Sequence, residues 1–310
     1  MNEFELIGRV TRALPSNKSV VVGAGDDCAV LDGGLGNRLL LFKTDAVVEG
    51  IHFTAGTPPG KVGHKALGRC LSDIAAMAGT PTAALVTLGL PRNFEVGYVE
   101  GLYGGMNALA RRHEVAIVGG ETTSNPERLF VSVALLGWVA RGKGVLRSGA
   151  EAGDAIFVTG ELGGSLAGKH LEFEPRLVEA RWLAEEFPIH AMLDLSDGLA
   201  GDLRHILQAS RVGAELLSAS IPISAAARRA AKANTSSRPA LLAALTDGED
   251  FELLFTAAGR QAVPLLDAWR ERFPALRLTC IGKITEKAGL AIREKQGVRP
   301  LTDHGYMHFA

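Results

Sequence analysis

Eight short runs rich in β-branched or aromatic residues, near 39–42, 84–90, 116–118, 130–138, 155–159, 191–195, 252–256 and 278–284, have strand length, and several end in Gly or Asp. Between them lie helical patterns near 4–14, 62–77, 96–112, 176–187, 199–210, 225–233 and 260–273. In the last of these, Val263, Leu266 and Trp269 are expected to share one apolar face. This alternation points to a mixed α/β (α+β) protein in which helices cover sheets. At 310 residues the chain exceeds what one hydrophobic core usually organises, so two domains are expected. The stretch RGKGVLRSGAEAGD at 141–154 mixes glycines and charges without periodicity between two strong strands, which divides the chain into 1–140 and 141–310. A polar segment, NTSSR at 234–238, reads as an exposed loop.

Charge and cysteine usage exclude several classes. The formal net charge is −1 and the basic residues are spread along the chain, so no nucleic-acid or anionic-membrane partner is expected. Cys28, Cys70 and Cys280 are far apart and form no CxxC pair, which suits free thiols in a reducing compartment. The opening MNEFELIGRV carries acids among its apolar residues, unlike a secretory signal, and the longest apolar run, near 129–140, is too short to span a bilayer. The expected location is the cytoplasm.

The informative feature for chemistry is a set of acids beside glycine at strand ends or turns: GAGDD at 23–27, KTD at 43–45, GGET at 119–122, DLSDG at 194–198 and DGED at 247–250. Glycine lets the backbone turn sharply and approach a phosphate, while a carboxylate supplies the hard oxygen ligand that Mg²⁺ prefers. Each acid alone would also serve as a helix cap or turn closure. Asp73 differs, because it lies inside the helical pattern KALGRCLSDIAAM at 65–77, where no local turn needs it. A metal or another cation would explain it. Together these acids suggest a metal–nucleotide site. The run GGSLAGKH at 163–170 approaches the phosphate-binding pattern GxxxxGK followed by Ser or Thr, but His170 replaces the hydroxyl that would hold Mg²⁺.

Read in order, GAGDDCAVL, KTDAVVEGIHF, LSDIAAMAG, GGETT, RSGAEAGD, LDLSDGLAGDL, DGEDFELLF and CIGKI resemble the thiamine-monophosphate kinases, within the aminoimidazole ribonucleotide synthetase-like superfamily of ATP-binding enzymes. The resemblance runs from about Phe4 to Phe309. Related superfamily members share the GDD and DG-type turns but not EGIHF with LSDIAAM. It implies an N-terminal α/β domain that forms a β-barrel with its twin across a homodimer, and a C-terminal α/β domain closing an ATP-binding cleft. It further implies ATP-dependent phosphorylation of thiamine monophosphate to thiamine diphosphate, with several Mg²⁺ ions and no general base.

Carried over by position, the resemblance makes Asp27, Asp45, Asp73 and Asp194 Mg²⁺ ligands, with Thr44 and Glu121 contributing and Asp197 holding a further ion; Asp45, Asp73 and Asp197 are the catalytic set. Tyr103, Gly120, Glu121, Arg147 and Ser196 match ATP contacts, and His52, Glu249 and Tyr306 match contacts to thiamine monophosphate. The chain departs from the family at several points. Glu121 stands where Asp is usual, and Lys43 stands where a small hydroxyl residue is common, so that fewer metals are expected. The region after Gly168 is short, and DGED replaces the commoner GGED. Two alternatives stay open: another enzyme of the superfamily, or a catalytically degenerate protein that binds ATP or thiamine phosphates.

Overall fold

The structure is a computed structural model that describes residues 3–233 and 238–306. Of the loop expected at 234–238, all but Arg238 lies outside the described residues, as does Phe309. The helices are α1 (Glu3–Val10), α2 (Pro59–Ala76), α3 (Val96–Arg112), α4 (Leu177–Glu186), α5 (Leu199–Ser210), α6 (Ala225–Lys232), α7 (Ala240–Thr246) and α8 (Ala262–Arg272). The strands are β1 (Val20–Val22), β2 (Ala29–Leu35), β3 (Arg38–Val48), β4 (Thr80–Leu90), β5 (Ala116–Ser124), β6 (Phe130–Ala140), β7 (Asp154–Thr159), β8 (Ile189–Asp194), β9 (Gly213–Leu217), β10 (Leu253–Ala258), β11 (Leu278–Thr285), β12 (Gly289–Glu294) and β13 (Gly297–Pro300). The chain divides into two compact units, one of 18–144 with 168–181 and one of 1–17, 145–167 and 182–310.

In the first unit six strands form one sheet in the order β1-β2-β3-β6-β4-β5. Strands β3 and β6 pair antiparallel along their whole length, from Arg38 opposite Ala140 to Val48 opposite Phe130. Side chains alternate across a strand, so Leu41 and Val47 are buried on one face while Phe42 is exposed on the other. Helix α2 covers the buried face with Leu67, Cys70, Leu71 and Ile74, all fully inaccessible to solvent. Helix α3 packs on α2 through glycine. A Cβ on Gly63 would lie 1.9 Å from the Leu102 carbonyl oxygen, and one on Gly105 would lie 1.9 Å from that of Gly60. Only bare backbone permits this approach.

The second unit holds a seven-stranded sheet in the order β13-β12-β9-β11-β7-β10-β8. All its pairings are antiparallel except β12 with β9. Ile156, Val158, Leu193 and Leu254 from the strands meet Leu199, Leu203 and Ile206 of α5 in one core. Every position of β7 is buried, so its DAIFVT run has no polar face to the solvent.

The strand and helix patterns read from the sequence all have counterparts here. One assignment is corrected: the buried face of α8 carries Leu265 and Trp269, four residues apart, whereas Val263 is 67% exposed. The three cysteines are free thiols. Among the described residues no helix is long and apolar enough to cross a membrane.

Candidate functional site

In the first unit the acids gather beneath α2. Lys43 and Asp45 are two residues apart on β3 and therefore project to the same side as Leu41 and Val47. Lys43 Nζ lies 2.8 Å from Asp73 Oδ1, so this lysine is one cation beside the acid within α2. Burial acts most strongly on Lys43 and would lower its pKa, but Asp73 and Asp45, aided by the hydrogen bond to Asp73 and by Asp27, outweigh it and hold the ammonium well above its ordinary range. Asp27 is buried, and a carboxylate oxygen of Asp27 comes within 4.8 Å of one of Asp73. Two hard oxygen donors at that separation suit a divalent cation such as Mg²⁺.

Asp45 is gripped by Arg69, with Nε 2.8 Å from Oδ2 and Nη2 3.2 Å from Oδ1, and its Oδ1 also accepts the Ala46 amide at 2.8 Å. The planar guanidinium fixes both carboxylate oxygens at once. Arg69 was not singled out in the sequence, although it stands one helical turn before Asp73. Thr44 and Glu121 lie elsewhere. The Thr44 hydroxyl faces the other side of β3, 3.5 Å from Ser132 Oγ. Glu121 is exposed on β5 opposite Thr87, which in turn pairs with Ser132, and its Oε1 accepts the Thr122 amide at 2.9 Å. The sheet therefore separates their side chains from Asp73. Gly120 lies where a Cβ would come 1.7 Å from the Val86 carbonyl oxygen, so β4 and β5 can pair closely only around glycine. Tyr103 is half-buried on α3, and burial raises its phenol pKa.

His52 follows β3 in the same unit. Its Nδ1 accepts the Val48 amide at 3.0 Å, which leaves the neutral ring's proton on Nε2. Its carbonyl oxygen accepts from Lys65 Nζ at 2.6 Å, and the same ammonium is 2.8 Å from His170 Nδ1. Lys65 is wholly buried. This ammonium ties the loop after β3 to the segment at 168–171.

The second unit contributes a loop, 194–198, between β8 and α5. Asp194 is buried at the end of β8. Asp202 reaches back from the first turn of α5, its Oδ2 accepting the amides of Asp197 and Gly198, both at 3.0 Å. Burial, and after it the charges of Asp197 and Asp194, push the Asp202 carboxyl well above its usual range, with the Asp197 amide bond and Arg147 opposing. Arg147 thus acts on this acidic cluster. The Ser196 carbonyl accepts the Glu249 amide at 2.6 Å, and the Asp197 carbonyl accepts the Tyr306 amide at 2.8 Å. Asp194, Ser196, Asp197, Glu249 and Tyr306 are consequently joined in one place.

The glycine-rich run after β7 does not cradle a phosphate in the manner its sequence mimics. It forms 3₁₀ turns at Ser165–Ala167 and Lys169–Leu171 rather than opening an α-helix. The amides of Gly163 and Gly164 donate to Asp250 Oδ2 and Asp247 Oδ2 at 2.8 and 2.9 Å, and Ser165 Oγ donates to the Glu249 carbonyl at 2.6 Å. These bonds brace the DGED loop.

Comparison with known proteins extends over both units. The family model for the N-terminal domain of AIR synthase related proteins matches residues 25–139, and that for their C-terminal domain matches 151–293. The thiamine-monophosphate kinase of Rhodopirellula baltica is 41% identical over 287 residues, 90% of this chain and 87% of that protein. That of Bacillus subtilis is 33% identical over 341 residues, with both chains fully covered. Among solved structures, AaThiL complexed with AMPPCP and TMP is similar at a TM-score of 0.83 and 32% identity, covering 99% of this chain and 97% of that one.

Proposed function

The chain belongs to the thiamine-monophosphate kinase family, and from that premise we propose that it transfers the γ-phosphoryl group of ATP directly to the phosphate of thiamine monophosphate, yielding thiamine diphosphate. The acceptor is a phosphate oxygen already ionised at neutral pH, so no side chain has to remove a proton. The requirement is to bring two polyanions into line and neutralise their charge, which Mg²⁺ held by carboxylates does. The solved relative bound to AMPPCP, a non-hydrolysable ATP analogue, and TMP supports ATP and thiamine monophosphate as the pair of substrates.

The residue roles are those that the family resemblance implies. Asp27, Asp45 and Asp73 in the first unit, and Asp194 and Asp197 in the second, are assigned to Mg²⁺, with Thr44 and Glu121 as further ligands. Because the Thr44 hydroxyl and Glu121 face away from Asp73 across the sheet, they serve different ions from the one beside Asp27 and Asp73. Lys43 supplies the positive charge that an additional ion would otherwise bring. Tyr103, Gly120, Glu121, Arg147 and Ser196 are assigned to ATP, and His52, Glu249 and Tyr306 to thiamine monophosphate.

In the same reading the first unit pairs with a second copy of itself in the cytoplasm. Phe42, Leu85, Val118 and Leu136 stand exposed on its sheet, an apolar surface suited to closing a barrel with an identical sheet.

The observation that carries the reading is the 194–198 loop, which unites expected metal positions with expected substrate positions through main-chain hydrogen bonds. The test is incubation of purified protein with Mg-ATP and thiamine monophosphate, followed by chromatographic assay of thiamine diphosphate. Stoichiometric formation of thiamine diphosphate and ADP is expected. Binding of both substrates without product would instead identify a catalytically inert binding protein.

A further inference from the structure

The segment from Leu301 to Tyr306 follows β13 in the second unit and has no helix or strand of its own. Its course therefore depends on what side chains and neighbouring backbone supply. Both ends are fixed. Leu301 is buried and its amide donates to the Leu290 carbonyl at 2.9 Å, while the Tyr306 amide donates to the Asp197 carbonyl at 2.8 Å. The second contact is close-fitting. A Cβ on Gly305 would stand 2.0 Å from the Asp197 carbonyl oxygen, and one on Gly201 would stand 3.3 Å from the Gly305 Cα. Glycine facing glycine lets the segment lie against the first turn of α5 and the loop before it.

Between those ends the fastener is Arg204, on the second turn of α5. Its Nη1 donates to the Asp303 carbonyl at 2.8 Å and its Nη2 to the Leu301 carbonyl at 2.5 Å, and Nη1 also reaches the Ala200 carbonyl on the helix itself. All three acceptors are main-chain oxygens. Burial lowers the pKa of this guanidinium and the charge of Asp303 opposes, so placing a cation here is unfavourable in itself and is offset by the oxygens it bridges. Arginine holds two nitrogens in one plane and so spans both tail carbonyls, whereas the single nitrogen of lysine must divide itself between them. One helix consequently governs two things. Its first turn fastens the loop of Asp194, Ser196 and Asp197, and its second turn holds the tail that brings Tyr306 to that loop.

We propose that Arg204 is a positioning residue for thiamine monophosphate: by bridging Leu301 and Asp303 to α5 it sets where Tyr306 stands relative to the 194–198 loop. The assignment rests on the kinase reading above, in which Tyr306 is a substrate contact.

The test compares full-length Arg204→Met, Arg204→Lys, Tyr306→Ala and the double variant of Arg204→Met with Tyr306→Ala. Steady-state kinetics, thermal melting and amide hydrogen exchange at the C-terminal end are measured for each. Arg204→Met is expected to raise the KM for thiamine monophosphate about tenfold with the KM for ATP within about twofold, and to speed exchange of the Tyr306 amide. Arg204→Lys is expected to recover part of that rise. In the Tyr306→Ala background, Arg204→Met is expected to change the same KM by less than about twofold, because the two residues act through one contact. An active wild-type enzyme whose Arg204→Met variant melts lower yet keeps its KM and Tyr306 exchange overturns this assignment alone and leaves Arg204 a structural brace. Fully additive effects in the double variant, or equal rises in KM for both substrates, overturn it as well. A wild-type protein that neither binds nor phosphorylates thiamine monophosphate overturns the kinase reading and this assignment together.

Discussion

The ammonium of Lys43 stands 2.8 Å from Oδ1 of Asp73, so a side-chain cation occupies one side of the carboxylate that α2 presents to its candidate metal centre. A divalent ion and this ammonium compete for the same negative charge. Replacing the ammonium by a small hydroxyl, Lys43→Ser, is expected to increase the number of Mn²⁺ ions bound in the presence of an ATP analogue, counted by electron paramagnetic resonance. An unchanged count contradicts that competition. In chelator, Lys43→Met is expected to lose about 2 kcal/mol of stability, a figure discounted for the partial exposure of Lys43, with Mg²⁺ restoring part of the loss.

Much of this centre was legible in the sequence, and the remainder fails for identifiable reasons. An acid in the middle of an apolar helix pattern points to a metal or another cation, and period-two alternation along β3 already puts Lys43 and Asp45 on one side and Thr44 on the other. Which of those sides faced α2 depended on tertiary packing. Arg69 carried only a weak signal, since a basic residue one turn from an acid is common on helices. Strands β9 and β13 carry little signal because GAELL and GVRP lack strong strand formers; β9 owes its structure to pairing with the distant β11 and β12, and β13 to its hairpin with β12. Asp202 looked like an ordinary acid in the first turn of a helix, and only the fold reveals that it fastens the preceding loop.

Asp202 offers a prediction about pH. An acid whose pKa is raised in the folded state contributes stability that is fully present below its unfolded value of 3.8 and is lost as pH rises through the folded value. Asn preserves an oxygen for the amides of Asp197 and Gly198 but cannot ionise. Asp202→Asn is therefore expected to flatten the fall in melting temperature that the wild type shows as pH rises above the unfolded value of 3.8. Asp202→Ala, which leaves two buried amides without their acceptor, is expected to lose about 2 kcal/mol or more at every pH. Parallel profiles for wild type and Asp202→Asn would count against the raised carboxyl.

Lys65 is a positioning residue for the loop that carries His52. Lys65→Met keeps the apolar stem but removes the donor to the His52 carbonyl. The expected result is a KM for thiamine monophosphate higher by about tenfold with the KM for ATP within about twofold. Equal changes in both constants would indicate general loosening of the unit instead of placement of one substrate loop.

The most direct test of the carboxylate-centred kinase is the turnover number of Asp45→Asn in the thiamine diphosphate assay. Asn retains one oxygen for Arg69 and nearly the same volume but gives up the second acceptor of the fork, so the melting temperature is expected to fall by a few degrees while circular dichroism remains close to wild type. The account predicts a fall in kcat of at least about 100-fold. A folded Asp45→Asn enzyme that turns over within about threefold of wild type would contradict the assignment of these acids to the reacting phosphates.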